Sequence, residues 1–113
     1  MKQTFGQILK QARQAKGLSQ RELAAQAGVD FTYISKLEND RLSPPAIETI
    51  GKLSEILEAP EEVLMSAAGK LNDDVREVLA GSPEAVKFLN QLKDMNLTSA
   101  EWDRLSMNLK NLR

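Results

Sequence analysis

Residues 18–39 read LSQRELAAQAGVDFTYISKLEN. Two short helical patterns meet in this stretch at one turn centred on Gly28. Ser19 followed three residues on by Glu22 is a capping box, which satisfies two free backbone donors reciprocally and starts the first of the two helices. Leu23, Ala24 and Ala27 form its buried stripe, and the alanines are small enough for two helices to cross closely beside a tight turn. Gly28 stands where a positive φ is expected. Asp30 is a good N-cap for the second helix, and Val29 and Ile34 occupy the two positions of a hydrophobic staple. Ile34 and Leu37 face the core. Phe31, Thr32, Ser35 and Lys36 lie elsewhere on the helical wheel, on a side with no evident packing partner.

The elements on either side complete a bundle. A helix is expected from about Phe5 to Ala15, with Phe5, Ile8, Leu9 and Ala12 sharing a face at spacings of 3, 4 and 7 and Gly17 at its end. Asn39, Asp40 and Arg41 close the helix that begins at Asp30. Ser43-Pro44-Pro45 then punctuates, because proline suits the first turn of a helix and not its last. A fourth helix, about Ala46 to Leu57, buries Ile47, Ile50, Leu53 and Leu57. Pro60 starts a short fifth one with Val63 and Leu64 inward, closed by Gly69. The expected fold is all-α, a five-helix bundle over residues 1–69 with short loops, followed by a C-terminal unit of two or three helices over residues 70–113. In that unit Asn72 or Asp73 begins a helix through Leu79, stopped by Gly81. Ser82-Pro83-Glu84 opens another to about Asp94. Thr98-Ser99-Ala100-Glu101 is a further capping box that opens the last.

Composition removes several functions. The 113 residues include no cysteine and no histidine. Disulfides are therefore ruled out, as are Ser-His and Cys-His nucleophiles. A zinc site would have carboxylates alone as ligands, a poor donor set, so no metal and no cofactor is expected, and an enzyme is not. No apolar run approaches the roughly 20 residues of a membrane span. The N-terminal stretch lacks the apolar region of a secretion signal. The expected location is the cytoplasm. The net charge of −1 hides an asymmetry: residues 1–45 carry seven Lys and Arg against four Asp and Glu, and residues 46–113 carry eight against twelve. Contact with phosphates is local, so the basic N-terminal part matters more than the total.

A helix–turn–helix with an uncovered polar side on its second helix fits the DNA major groove, about 12 Å wide, in which each base pair shows a distinct edge. Residues near the N-terminus of that helix would meet base edges, here Phe31, Thr32 and Lys36. Lys36 can donate to guanine O6 and N7, Thr32 can hydrogen-bond a base or set its methyl on thymine, and Phe31 can touch a thymine methyl. Gln20, at the positive end of a helix dipole, is a candidate phosphate contact. Arg21, Tyr33, Asn39 and Arg41 are the others, setting register without reading sequence. Each has a plain structural alternative: a solvated face for Lys36 and Arg21, partial burial for Phe31, packing against the first helix for Tyr33.

The segments Gly17-Leu18-Ser19-Gln20-x-x-Leu23-Ala24, Gly28-Val29 and Ile34-Ser35-x-Leu37-Glu38-Asn39 resemble the Cro/C1-type (XRE) helix-turn-helix family of phage repressors and bacterial regulators. The resemblance covers residues 5–68, the whole bundle, which is of the lambda-repressor type. It implies base contacts from Phe31, Thr32 and Lys36, phosphate contacts from Gln20 and Asn39, and an Arg13–Glu38 pair inside the bundle. Two residues depart from the pattern. Asp40 stands where the family often has glycine, so a slightly strained turn is expected there. Phe31 replaces a residue that is commonly polar, so no relative's operator carries over.

In the C-terminal unit Trp102, Leu105, Leu109 and Leu112 form a narrow apolar seam, to which the preceding helix adds Phe88, Leu89, Leu92 and Met95. Two helices cannot cover this surface unaided. Folding back on the bundle would bury it, and so would pairing with a second copy. Residues 84–112, with Lys93-Asp94-Met95-Asn96-Leu97-Thr98 and Glu101, also resemble the helical hook of the Sin repressor and anti-repressor family, in which such hooks interlock. A homodimer is the expectation, reading an inverted-repeat operator in double-stranded DNA with half-sites one helical turn apart. The expected function is a transcriptional regulator, a repressor by occlusion of polymerase. The alternative is an antitoxin or anti-repressor whose C-terminal helices capture a regulatory protein.

Overall fold

The computed structural model describes residues 3–113. Among them lie eight helices and no strand: α1 (Phe5–Lys16), α2 (Gln20–Ala27), α3 (Phe31–Glu38), α4 (Ile47–Leu57), α5 (Glu61–Ala68), α6 (Asp73–Gly81), α7 (Pro83–Leu92) and α8 (Ser99–Lys110). They belong to two compact units, one running up to Asp73 and the other Asp74–Arg113.

Local chemistry fixes the ends of the helices in the first unit. The Ser19 hydroxyl accepts from the Glu22 N–H while the Glu22 carboxylate accepts from the Ser19 N–H. Thr4 and Gln7 make the same reciprocal pair at the start of α1, a box that the sequence reading did not identify. Gly17, Gly28 and Gly69 end α1, α2 and α5 with φ of 78°, 71° and 66°. That is the left-handed region where a Cβ is costly. Asp30 takes the N-cap position of α3 with extended backbone, but its side chain makes no capping hydrogen bond. The expected cap is thus present in backbone only.

These ends let α1 pack on α3, α4 and α5, and α2 on α3 and α4. Leu9, Leu23, Ile34, Leu37, Ile50, Leu53 and Leu64 are almost wholly removed from water, each contributing about 1.5–3 kcal/mol. Ala24 and Ala27 are buried where α2 crosses its neighbours, as their size predicts. Ile8, Ala12, Val29 and Ile47 pack partly buried against this core. Val63 is a correction: expected inward, it is 45% exposed. Leu64, Met65 and Ala68 define the inward stripe of α5, and at about 100° per residue Val63 falls on the far side of it.

The second unit is built differently. Helix α6 continues two residues past Leu79 and includes Gly81, and α7 stops at Leu92, two residues before the expected end. Ser82 caps α7 and the Thr98–Glu101 box caps α8 as expected. Asn96, at φ 48°, turns the chain between them. No residue of α6, α7 or α8 is buried. Phe88, Leu89, Met95, Trp102, Leu109 and Leu112 are all exposed, and Leu92 and Leu105 are half-buried. Phe88, Trp102, Leu105, Leu109 and Leu112 line one open apolar groove. Among the described residues no helix is long and apolar enough to cross a membrane.

Candidate nucleic-acid interface

Helix α3 is amphipathic in the manner its sequence demands. Ile34, Leu37 and Glu38 are buried, and Phe31, Thr32 and Lys36 are exposed. Thr32 and Lys36 are four residues apart, one above the other on the outward side. Phe31 lies about 100° to one side of Thr32 and Tyr33 about 100° to the other.

The Phe31 flank adjoins α2. The Arg21 guanidinium stacks over the Phe31 ring at 4.5 Å from its centroid. Such a contact contributes about 0.5–1 kcal/mol at an exposed site and brings two residues named on separate grounds into one feature. Gln20 is half-buried, and its amide nitrogen donates to Glu38 at 3.0 Å. One of its two amide hydrogens is thereby committed within the bundle, which fixes the direction of the side chain and leaves the second for a ligand. The Asn39 amide donates to the Ser35 carbonyl at 2.8 Å. Arg41 is exposed just beyond α3, where its backbone N–H donates to the Lys36 carbonyl.

The opposite flank adjoins α4. Tyr33 is half-buried, and it lines a cleft together with Val29, Thr49, Lys52 and Leu53. This cleft places it beside α4, and it packs partly buried against the core. Thr49 and Lys52 are the residues here that the sequence did not single out. They belong to a helix remote in the chain, and only the crossing of α4 under the α2–α3 turn brings them alongside Tyr33.

Beneath α3, Arg13 and Glu38 form the pair that the resemblance implies. Arg13 Nε and Nη2 donate to the two Glu38 carboxylate oxygens at 2.7 and 2.9 Å, and Nη1 donates to the Leu18 carbonyl. The hydrogen bond to Glu38 holds the Arg13 guanidinium more firmly protonated than usual. Glu38 thus fixes α1, α2 through Gln20, and α3 to one another. Asp40 adopts φ 56°, the strained turn expected there. Its carboxylate accepts from the Thr4 hydroxyl at 2.7 Å and the Gly6 N–H at 3.1 Å, so the end of α3 is tied to the start of α1.

A helix-turn-helix family model matches residues 9–64. The HTH-type transcriptional repressor RghR of Bacillus subtilis is 34% identical over 95 residues, covering 84% of this chain and 70% of that protein. The chain belongs to the Cro/C1-type helix-turn-helix family. A crystal structure of SinR, master regulator for biofilm formation, in complex with DNA superposes with a TM-score of 0.52 at 37% identity, over 55% of this chain and 98% of that one. A SinR–SinI protein complex superposes with a TM-score of 0.54 at 27% identity, over 95% of each chain. The chain spans only 58% of one curated relative's length and 55% of another's. The family match encloses α2 and α3 with every candidate base and phosphate contact. The candidate dimerisation residues, Phe88 to Leu112, lie beyond it.

Proposed function

We propose that this protein is a sequence-specific double-stranded DNA-binding repressor that acts as a homodimer on an inverted-repeat operator. One observation carries the reading: α3 buries Ile34, Leu37 and Glu38 and leaves Thr32 and Lys36 exposed on its outward side. A helix so disposed fits the major groove, with Phe31, Thr32 and Lys36 at base edges. Gln20, Arg21, Tyr33, Asn39 and Arg41 would then fix register on phosphates. The family membership and the DNA complex of the related SinR support this. So does the repressor role of RghR.

In this reading residues 1–69 bind DNA and residues 70–113 dimerise. One short helix reads too few base pairs for useful specificity, and a twofold axis doubles the number. The apolar side chains exposed on α7 and α8 are the natural seam for a second copy, with Phe88, Leu89, Leu92, Met95, Trp102, Leu105, Leu109 and Leu112 in the interface. The similarity over 95% of the chain to a SinR–SinI complex supports a regulatory protein partner engaging the same helices. Repression would follow from occlusion of polymerase on the nucleoid.

Electrophoretic shift with DNA selected in vitro tests the proposal. Two half-sites with centres about 10–10.5 bp apart, shifted as a complex of two chains, are expected. Enrichment of single asymmetric sites bound by one chain would overturn the dimeric reading.

A further inference from the structure

The outward side of α3 has a cation on one flank, Arg21 over Phe31. A helix about 10–12 Å across in a groove about 12 Å wide meets a phosphate wall on each side, so the other flank faces phosphates as well. That flank holds a cleft of about 210 Å³ lined by Ala27, Gly28, Val29, Tyr33, Thr49 and Lys52, among others. Lys52 is exposed, but its ammonium is not far from the protein surface. It lies over the α2–α3 turn, 3.7 Å from where a Cβ on Gly28 would stand. Among the described residues it makes no ion pair, although Glu48 and Glu55 are four residues before and three after it on the same helix. A charge held over the turn beside two hydroxyl-bearing side chains, and left unneutralised, is suited to an incoming anion.

We infer that Lys52, with Thr49 and Tyr33, receives a backbone phosphate of the DNA strand opposite the one met by Arg21. The inference rests on the DNA-binding reading and extends it to a helix outside the helix-turn-helix proper. The contact is to the sugar–phosphate chain, so it sets register and affinity and carries no base preference.

The test is the salt dependence of binding. Each phosphate neutralised adds about 0.9 to the slope of log affinity against log salt. Lys52→Ala is therefore expected to flatten the slope by about 0.9 per bound chain. It should weaken binding roughly eightfold per bound chain at 0.1 M salt, by the same factor on the selected operator and on random duplex. Lys52→Arg should restore the slope. Lys52 is exposed and unpaired, so thermal unfolding of both variants should match the parent and serves as the folding control. An unchanged slope in Lys52→Ala, with the parent binding DNA in a salt-dependent way, overturns the inference alone. So does a loss confined to one operator sequence. A parent protein that binds no duplex overturns the DNA-binding reading itself.

Discussion

Replacing Glu38 by leucine removes the acceptor on which three segments converge. The carboxylate takes hydrogen bonds from Arg13 Nε and Nη2 and from Gln20. Without it the Arg13 guanidinium keeps only the Leu18 carbonyl while its side chain remains 10% exposed. Breaking a buried pair by removing one partner costs about 3–5 kcal/mol. The residual exposure of Arg13 sets the expectation at the lower end, about 3 kcal/mol. A bundle of this size has about 4–10 kcal/mol of stability in all. The loss should lower its melting temperature by about 12–24 °C. Arg13→Met should cost a similar amount, because it strands the carboxylate instead. The double variant Arg13→Met, Glu38→Leu should recover most of the loss, since a well-packed apolar pair replaces an ion pair at little cost. Urea unfolding followed by far-ultraviolet circular dichroism measures all four proteins. A Glu38→Leu cost below about 1 kcal/mol, or a double variant as unstable as the two single losses added together, would refute the reasoning.

Three other outcomes follow from the same structure. A Cβ on Gly6 would stand 2.4 Å from the Leu37 carbonyl oxygen and 2.7 Å from that of Glu38, so Gly6→Ala should destabilise the bundle by about 1–3 kcal/mol in the same urea assay; an unchanged midpoint would contradict the packing of α1 on the end of α3. The Ser19 backbone N–H, and after it the Ser19 hydroxyl, hold the Glu22 carboxyl below its ordinary value of 4.5. Its stabilising effect is therefore complete above the unfolded-state value and is lost as pH falls through the lower folded-state value. Glu22→Gln keeps a side-chain oxygen for the capping box and should flatten the stability–pH curve in that acid range alone, a comparison made by urea midpoints at a series of pH values. In the second unit, charge placed in the apolar seam by Leu105→Glu should leave the protein monomeric by sedimentation equilibrium, with the thermal unfolding of the bundle unchanged; a dimer that persists would place the interface elsewhere.

How far the sequence alone could be read depended on whether the cause of each feature was local. The Ser19–Glu22 and Thr98–Glu101 boxes and the glycines at 17, 28 and 69 act within a few residues of themselves, and the helix ends they predict are found within a residue or two. The burial of Leu23, Ala24, Ile34 and Leu37 follows from spacing alone. Val63 was misassigned because two adjacent apolar residues on a short helix leave its inward direction ambiguous until its neighbours fix it. The turn at Asp40 was legible as strained. Its compensation by Thr4 and Gly6 was not, since those residues lie more than 30 positions away. Phe31, Thr32 and Lys36 were legible as the outward side of a helix. The stacking of Arg21 on Phe31 and the approach of Lys52 to the turn depend on helix crossings, which spacing does not encode. The seam of α7 and α8 was legible as apolar, whereas its partner is not written in the single chain.

Selection of bound duplexes from a random library, run in parallel on the parent and on Lys36→Ala, bears most directly on whether α3 reads base edges. The parent should enrich an inverted repeat. The variant should enrich the same repeat with preference lost at one position of each half-site, worth about 1–3 kcal/mol of discrimination. Identical profiles from the two proteins, or no enrichment by the parent, would contradict the account.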